Sequence, residues 1–424
     1  MILATTRRVI RVDIVIEGRY KEFDYLTVDS LTGKIKSLGK GRPPKEPDYS
    51  FGDGFVLSAG DFNAHSHPEQ SIYVEIADKS WDLARWCRET IYKYSVEMTA
   101  EMIYHGCVRA FGRMLVYSET SVMVSFYCHN KRGNELDLAV IKAAQDVGIR
   151  LFFGRMNYDL VNQEAYPEKR ASQLSYYESP EEAEKNFIGL LEYETDTVKA
   201  APALHSFHAN TLDAVIRGIN LGAEYGRKVQ YHLSEDEGDV KICLENYGMR
   251  PVEVLADLKE TGRVSSLDHL LLSDCVWTSR REKELIKEHG MAVVFNGRMN
   301  ERVKAGTAAV REYMELGVPV YVGTDGEASN DDLSIDNERK WQREKHKLSK
   351  EEEKMLQRPF EMAGVRVGEL EAGFAADIKV CRDGKPDALF VGGKPVMKDG
   401  VLLSKKIISD SEAFIKDMWQ RRAG

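Results

Sequence analysis

The sequence predicts a (β/α)8 TIM-type barrel that carries a small β-sandwich domain formed from both chain ends. Three observations in the 424 residues predict this α/β fold. Short β-prone runs occupy both ends of the chain, amphipathic helices alternate with β-rich runs between them, and polar residues stand where those runs end. Alternating strands and helices are typical of a parallel barrel, and in that fold the chemistry lies where the strands end.

The two chain ends are predicted to build the small domain together. Arg8 to Ile16 alternates and is rich in β-branched residues, and β-prone runs follow at 25–28 and 34–38. Residues 365–380 and 388–403 are again β-like. We therefore expect a discontinuous sandwich from residues 1–58 and 360–408, a barrel from 59–359 and a closing C-terminal helix from 409–424.

The middle of the chain repeats one pattern, in which a helix ends at a glycine and a β-rich run follows. The glycines are Gly148, Gly226, Gly290 and Gly317, and glycine suits the position after a helix. Ser279 with Glu282 predicts a capping box at the start of one helix. The charged residues 336–354 are predicted to form a surface helix. Eight barrel strands are expected to begin near Phe55, Val122, Leu151, Ala203, Val229, Leu270, Val293 and Val320.

Composition narrows the class of partner. The net charge of -9 argues against a nucleic acid or an anionic membrane, and no apolar run approaches the length that spans a bilayer. The first eight residues lack the apolar core of a signal peptide. The six cysteines are scattered without a CxxC pair, which indicates reduced thiols. We expect a cytoplasmic protein that acts on a small molecule.

A metal site is predicted from two histidines and two later strand ends. His65 and His67 are separated by one residue after a β-prone run, so in a strand they would face the same way. The alternative is a pair of loop histidines, since Pro68 can end a strand. Together with His232 and Asp325 they supply three imidazoles and one carboxylate, a set that suits Zn²⁺, or less selectively Fe²⁺, with a place for water.

Two carboxylates near this set are candidates for proton transfer. A metal lowers the pKa of bound water from ~15.7 toward ~7, and Asp325 could accept the proton that is released. Glu235 follows His232 by three residues and could carry a proton to a leaving group or ring nitrogen. The alternative for Glu235 is a solvated loop acid, since other acidic residues surround it.

The motifs resemble those of the amidohydrolase superfamily, within its aminohydrolase/chlorohydrolase branch of guanine deaminase, adenosylhomocysteine deaminase and triazine hydrolases. The similar runs are AHSHPEQ, ALHSFHANTLDAV, YHLSED and, most specifically, VYVGTDGEASNDDLSIDNE. The resemblance covers nearly the whole chain. It implies a homodimeric, metal-dependent deaminase in which hydroxide at the metal attacks an amino-substituted nitrogen heterocycle or an amidine-like or guanidine-like molecule. It also implies that His205 contacts the substrate.

One residue departs from that pattern. Asp274 stands at the end of the sixth predicted strand, where the family has a histidine that orients the hydroxide. His269 would face the opposite side of the strand from Asp274 and is not expected to replace the missing histidine. Three interpretations follow: Asp274 acts as a catalytic base, or the reaction is amide, carbamate or halide hydrolysis, or the protein binds metal with little catalytic activity.

Three further residues are candidates for substrate binding. His129 follows a predicted strand and could reach the site. Trp81 could belong to an aromatic lid. The alternative is that it packs in the core beside a helix or at a subunit interface. Arg298 follows the seventh predicted strand and could bind an acidic group of the substrate, and its alternative is a solvated arginine.

Overall fold

The N-terminal part forms a four-stranded sheet. The structure is a computed structural model that describes residues 13–20 and 22–423. The sheet has the order β3-β2-β1-β4 and consists of β1 (Ile14–Tyr20), β2 (Phe23–Asp29), β3 (Lys34–Gly39) and β4 (Tyr49–Ser50). The first predicted strand was expected to start at Arg8, and its residues 8–12 lie outside the described residues.

The next strand corrects one prediction. Phe55 was expected to begin the first barrel strand, but β5 (Phe55–Ala59) pairs antiparallel with a strand near the C-terminus. Val56 is 58% exposed, as in a strand with one face in water, whereas barrel strands are covered on both faces. The chain changes sheet at Gly60, where a side chain would collide with Thr120.

The centre of the described chain is a barrel of eight parallel strands in sequence order. Backbone N–H groups of Thr324 and Asp325, just after the last strand, donate to the carbonyl of His65 in the first, which closes the barrel. The strands are β6 (Asp61–Ser66), β7 (Glu119–Phe126), β8 (Arg150–Asn157), β9 (Val198–Leu204), β10 (Val229–Leu233), β11 (Leu270–Asp274), β12 (Ala292–Phe295) and β13 (Val320–Val322). The predicted barrel is confirmed.

A short hairpin covers the amino-terminal end of the barrel. It consists of β14 (Phe360–Met362) and β15 (Val365–Val367). Phe360 stacks on Phe62 of the first barrel strand, with ring centroids 4.4 Å apart, and meets Phe152 edge-on. This hairpin lies within the range predicted for the small domain, but it packs against the interior of the barrel.

The remaining strands complete the sandwich. They are β16 (Ile378–Arg382), β17 (Lys385–Val391), β18 (Lys394–Lys398) and β19 (Val401–Leu402), and with β5 they form a second sheet of order β19-β18-β17-β16-β5. Apolar side chains of both sheets, among them Leu26, Val28, Ile378 and Phe390, form one buried cluster. The predicted sandwich from both chain ends is confirmed.

The helices surround the barrel and end largely as predicted. Gly148 and Gly226 adopt left-handed backbone angles after their helices, and Ser279 with Glu282 forms the capping box. Within the described residues, no helix is both long and apolar enough to cross a bilayer. The α-helices are α1 (Leu83–Glu89), α2 (Ile91–Tyr94), α3 (Ala100–Val116), α4 (Glu135–Val147), α5 (Pro167–Tyr176), α6 (Pro180–Leu190), α7 (Leu212–Tyr225), α8 (Glu237–Tyr247), α9 (Pro251–Glu260), α10 (Arg280–Glu288), α11 (Gly297–Arg302), α12 (Val310–Glu315), α13 (Ile335–His346), α14 (Lys350–Lys354) and α15 (Lys405–Ala423). The predicted charged helix is thus divided into α13 and α14, and the closing helix begins earlier than expected.

Candidate active site

Three imidazoles converge at the carboxyl ends of two barrel strands. His65 lies in β6, His67 directly follows it and His232 lies in β10. Their ligand nitrogens all lie within 4.8 Å of one another, and the three residues are buried. The Nε2 atoms of His67 and His232 are 3.2 Å apart, and the Nε2 atom of His65 is buried without a hydrogen-bond partner among the described residues. Such an arrangement fits a cation at the centre.

The other nitrogen of each ring is held by an oxygen. His65 Nδ1 donates to Gln230 Oε1 at 3.1 Å, His67 Nδ1 to the Ser125 carbonyl at 2.6 Å and His232 Nδ1 to the His205 carbonyl at 3.0 Å. Carbonyl oxygens only accept, so each Nδ1 carries the proton and each Nε2 presents its lone pair to the centre. Metal-binding histidines are oriented in this way, and the donor set therefore fits a divalent metal.

Asp325 lies beside this cluster, just after β13. Its Oδ2 is 3.6 Å from His65 Nε2. Its Oδ1 accepts hydrogen bonds from Ser329 Oγ at 2.9 Å and from the backbone N–H of Gly326, and its own carbonyl accepts from Ser66 Oγ at 2.8 Å. Because one oxygen is held by its own loop, the other is directed to the histidines.

The charges of these groups follow from burial and proximity. Burial lowers the pKa of His67 to about 3. Burial also disfavours charge on His65, but the adjacent Asp325 carboxylate outweighs it and raises the pKa of His65. Burial alone would raise the pKa of Asp325, yet the proximity of the His65 and His67 rings brings it below its ordinary value. The site therefore favours a positive charge between His65 and Asp325, as a proton or as a metal ion.

A cavity of 730 Å³ opens above the cluster at the carboxyl ends of the barrel strands. His67, His232 and Asp325 form part of its floor. Its walls are largely aromatic, and the aromatic residues are Trp86, Tyr92, Tyr127, Tyr158, Tyr166, Tyr176 and Phe207. The site can therefore hold a flat ring against aromatic walls.

Glu235 also lines this cavity, two residues beyond the end of β10. Burial raises the pKa of Glu235 well above its ordinary value, and the nearby carboxylates of Asp274 and Asp325 raise it further. A carboxyl group whose pKa is raised holds its proton to higher pH, which favours a role as a proton donor to a bound molecule.

Comparison with known proteins identifies the family. Residues 56–397 match the family model described as "Amidohydrolase family". The chain belongs to the amidohydrolase family. This amidohydrolase is a metal-dependent hydrolase that acts on carbon–nitrogen bonds other than peptide bonds.

Its relatives in sequence include deaminases. The amidohydrolase is 28% identical over 353 residues to 5'-deoxyadenosine deaminase of Methanopyrus kandleri, an alignment that covers 80% of this chain and 76% of the relative. It is 28% identical over 386 residues to 5-methylthioadenosine/S-adenosylhomocysteine deaminase of Syntrophobacter fumaroxidans, covering 86% and 82%.

Solved structures share its fold. Atrazine chlorohydrolase from Arthrobacter aurescens TC1, complexed with zinc, superposes with a TM-score of 0.79 and 19% identity over 95% of this chain and 100% of that chain. An adenosine deaminase from Xanthomonas campestris with bound zinc has a TM-score of 0.74 and 18% identity over 96% and 99%. At these identities the likeness shows the fold alone.

Most of the predicted site residues lie together in this amidohydrolase. His65, His67, His232 and Asp325 converge, and Glu235 shares their cavity. The ring of His205 lines the same cavity. Asp274 is fully buried at the end of β11 and does not line it.

Three predicted substrate-binding residues do not line this cavity. His129 uses both ring nitrogens elsewhere, with Nδ1 2.9 Å from Asp137 and Nε2 3.0 Å from the Met156 carbonyl. Arg298 forms a two-pronged ion pair with Asp332 at 2.7 and 3.0 Å. Trp81 packs outside the cavity beneath Arg85, and Trp86, five residues further along the chain, lines the cavity instead.

Several functional neighbours were missed from the sequence. Gln230, which holds His65, precedes His232 by two residues in β10, so strand alternation places both on one face and could have found it. No comparable signal marks the Ser125 carbonyl, because a backbone group carries no residue preference. His208 and Asp239, which also line the cavity, had no motif to single them out.

Proposed function

We propose that this amidohydrolase is a zinc-dependent deaminase that removes the amino group of an adenosine-like nucleoside. One observation carries the proposal: three imidazole Nε2 atoms and Asp325 meet at the floor of an aromatic cavity that also contains Glu235. The deaminase names of its relatives support the reaction and the substrate class.

His65, His67, His232 and Asp325 would hold the metal. Three nitrogens and one carboxylate oxygen suit Zn²⁺ best, with Fe²⁺ as the alternative. A divalent metal there would supply a nucleophile from water at neutral pH, because it lowers the pKa of water to about 7.

The protein side chains would divide the proton transfers between them. Asp325 accepts a proton from the attacking water and passes it to the amino group, which leaves as ammonia. Glu235 delivers its carboxyl proton to a ring nitrogen of the substrate and takes up the hydroxyl proton of the adduct as the carbonyl bond forms. His205 contacts the ring from the cavity wall. We assign Asp274 a role through its neighbours, because it does not line the cavity.

Ammonia release tests the proposal directly. We would assay zinc-loaded enzyme with 5'-deoxyadenosine, 5'-methylthioadenosine, S-adenosylhomocysteine, guanine and an aminotriazine. Ammonia from the three nucleosides is expected. Release of chloride from a chlorotriazine without any deamination would favour halide hydrolysis, and no turnover at full metal occupancy would favour a catalytically silent metal-binding protein.

Glu235→Gln supplies the matched test of mechanism. The amide keeps the shape of the side chain but cannot deliver the proton, so kcat should fall by about 10²–10⁴-fold while the zinc content stays the same. Glu237→Gln, an exposed position two residues away, is the control and should leave both unchanged. An active Glu235→Gln variant would remove Glu235 from the mechanism.

We also propose that the enzyme works as a homodimer in the cytoplasm. All six cysteines are free thiols, as expected in a reducing compartment, and members of the family commonly pair. Light scattering during size-exclusion chromatography should give twice the mass of one chain. A monomer at micromolar concentration would contradict the dimer.

A further inference from the structure

A chain of hydrogen bonds runs from helix α8 to the cavity wall. Asp239 in α8 places Oδ1 3.2 Å from Nδ1 of His208. The same Nδ1 is 2.9 Å from Ser206 Oγ, and Ser206 Oγ is 3.0 Å from Nδ1 of His205. Asp239 and Ser206 are buried, and both histidines line the cavity. Buried polar groups thus connect to the two histidines of the cavity wall.

The donor and acceptor at each bond can be assigned from chemistry. The carboxylate of Asp239 acts as an acceptor, and its Oδ2 accepts from the backbone N–H of Ser234 at 2.8 Å. His208 therefore carries its proton on Nδ1 and shares it between Asp239 and Ser206. Ser206 has one hydroxyl proton, which remains for His205 Nδ1. His205 must then accept at Nδ1 and carry its own proton on Nε2.

The backbone position of His205 is fixed separately from this chain. Its N–H donates to Asn210 Oδ1 at 2.8 Å, and its carbonyl accepts from His232 Nδ1. The bond from Ser206 is therefore not needed to place the residue. What it determines is which ring nitrogen of His205 bears the proton.

We propose that Asp239 and Ser206 are positioning residues that give the two cavity histidines, His205 and His208, opposite polarities. This inference rests on the proposed function and specifies its substrate. His205 presents an Nε2–H donor, and His208 presents an Nε2 lone pair. Neither Nε2 atom has a hydrogen-bond partner among the described residues, and the ring centroids are 5.3 Å apart.

The substrate must match this polarity. It offers an acceptor, such as a ring nitrogen, to His205 and a donor, such as a hydroxyl group, to His208. A nucleoside provides both, because its sugar hydroxyls lie next to a heterocycle with ring nitrogens. A free base or an aminotriazine has no sugar hydroxyl to offer, so His208 selects for the hydroxylated substituent.

Nuclear magnetic resonance of ¹⁵N-histidine in zinc-loaded enzyme tests this chain of hydrogen bonds, here called the relay, without any substrate. In the wild type, the His205 signals should show protonated Nε2, with the assignment made from a His205→Gln variant. Ser206→Ala removes the donor to Nδ1 and should shift His205 toward the other tautomer. Asp239→Asn, whose amide can donate to His208 Nδ1 and so reverse the chain, gives a second variant should Ser206→Ala fold poorly. Protonated Nδ1 in wild-type His205, or an unchanged pattern in both folded variants, would overturn the inference.

Kinetics then test the selection. His208→Phe should raise KM for 5'-deoxyadenosine about tenfold, the loss of one hydrogen bond, with little change in kcat. It should leave KM unchanged for the analogue that lacks both sugar hydroxyls. An equal rise for both substrates would contradict selection by His208. If no nucleoside is deaminated, the proposed function fails, while the resonance experiment still decides the relay.

Discussion

Among single residues, Asp274 shows how an exchanged side chain is accommodated in the site. It ends β11 with a φ of 73°, and its Oδ1 accepts from Asn296 Nδ2 at 2.9 Å and from Asn300 Nδ2 at 3.2 Å. Its Oδ2 is buried without a hydrogen-bond partner among the described residues. The carboxylate contributes to the raised pKa values of His65 and Glu235, so it acts on the site through charge.

Asp274→Asn should separate charge from shape. The amide oxygen can still accept from the two asparagines, but the negative charge is lost. We expect kcat to fall about tenfold or more, the equivalent of one pKa unit in a neighbouring group, with zinc content unchanged. Steady-state kinetics and metal analysis measure both. Unchanged kcat would mean that the charge has no role.

Asp274→His asks a different question at the same position. If the aspartate is a specialisation, native activity should collapse in this variant. A gain of deaminase activity would instead show that Asp274 lowers the deaminase activity of this enzyme. Rates across the same substrate panel distinguish the two results.

The buried carboxyl group of Glu338 should make the free energy of unfolding depend on pH. Burial of Glu338 raises its pKa from 4.5 to about 7, although it accepts hydrogen bonds from the backbone N–H of Arg298 and from Gln342 Nε2. The folded protein therefore keeps a proton that the unfolded chain releases near pH 4.5. This contribution to stability is complete below pH 4.5 and is lost as the pH rises through 7.

Glu338→Gln should remove that dependence. Between pH 4.5 and pH 8 the wild type should lose about 3 kcal/mol more unfolding free energy than the variant. Urea unfolding at both pH values measures the difference. Glu344 is exposed on the same helix. The control variant Glu344→Gln should therefore show the same pH dependence of unfolding free energy as the wild type. Parallel curves for wild type and Glu338→Gln would refute the assignment.

At the scale of elements, helices hold the loop that carries Asp325. Arg109 of α3 makes a two-pronged ion pair with Glu327, both at 2.9 Å, two residues beyond Asp325. Glu412 of the C-terminal helix α15 lies 3.5 Å from the same arginine. The same helix reaches the segment after His67, where Trp419 Nε1 donates to the Ile72 carbonyl at 2.5 Å. The closing helix thus supports the loops that follow His67 and Asp325.

Arg109→Gln should therefore weaken zinc binding. Loss of the ion pair frees Glu327 and the adjacent loop, and we expect about a tenfold loss of zinc affinity, the scale seen when groups that orient ligands are removed. Chelator competition measures it. Arg113→Gln is the control, because Arg113 pairs with Glu412 alone and is 43% exposed. Equal affinity in the wild type and Arg109→Gln would show that the loop holds Asp325 unaided.

At the scale of the whole molecule, buried charges join the barrel to the sandwich. Arg150 in β8 makes a two-pronged ion pair with Asp377 at 2.6 and 2.9 Å, and Asp377 also accepts from the backbone N–H of Gly392. Asp61 at the start of β6 accepts from Lys379 of the sandwich at 2.7 Å and from Arg339 of α13 at 2.9 Å. These pairs attach the first and third barrel strands to the small domain.

Arg150→Met should destabilise the protein strongly. It leaves the Asp377 carboxylate buried without its counter-charge, which costs about 3–5 kcal/mol. The double variant Arg150→Met/Asp377→Asn should recover part of that loss, because no unpaired charge remains. Urea unfolding of the two single variants and the double variant measures the coupling. Additive losses would show that the two residues do not act as a pair.

The amino-acid sequence alone predicts the barrel, the sandwich and the convergence of His65, His67, His232 and Asp325. Strand alternation placed His65 and His67 on one face, and glycines after helices marked where strands begin, since both signals are local in the chain. The polar strand ends could then be assigned to one end of the barrel, where His232, Glu235 and Asp325 are found.

Other features of the molecule depend on contacts between distant parts of the chain. Residues 55–57 are apolar in either sheet, so their membership of the sandwich depends on the partner strand and not on their own pattern. The local pattern of the chain does not separate His129 from His205, because both follow β-rich runs. Packing buries one ring between Asp137 and a backbone carbonyl and leaves the other facing the cavity. Contacts between residues far apart in the chain set those environments, and no local pattern records them.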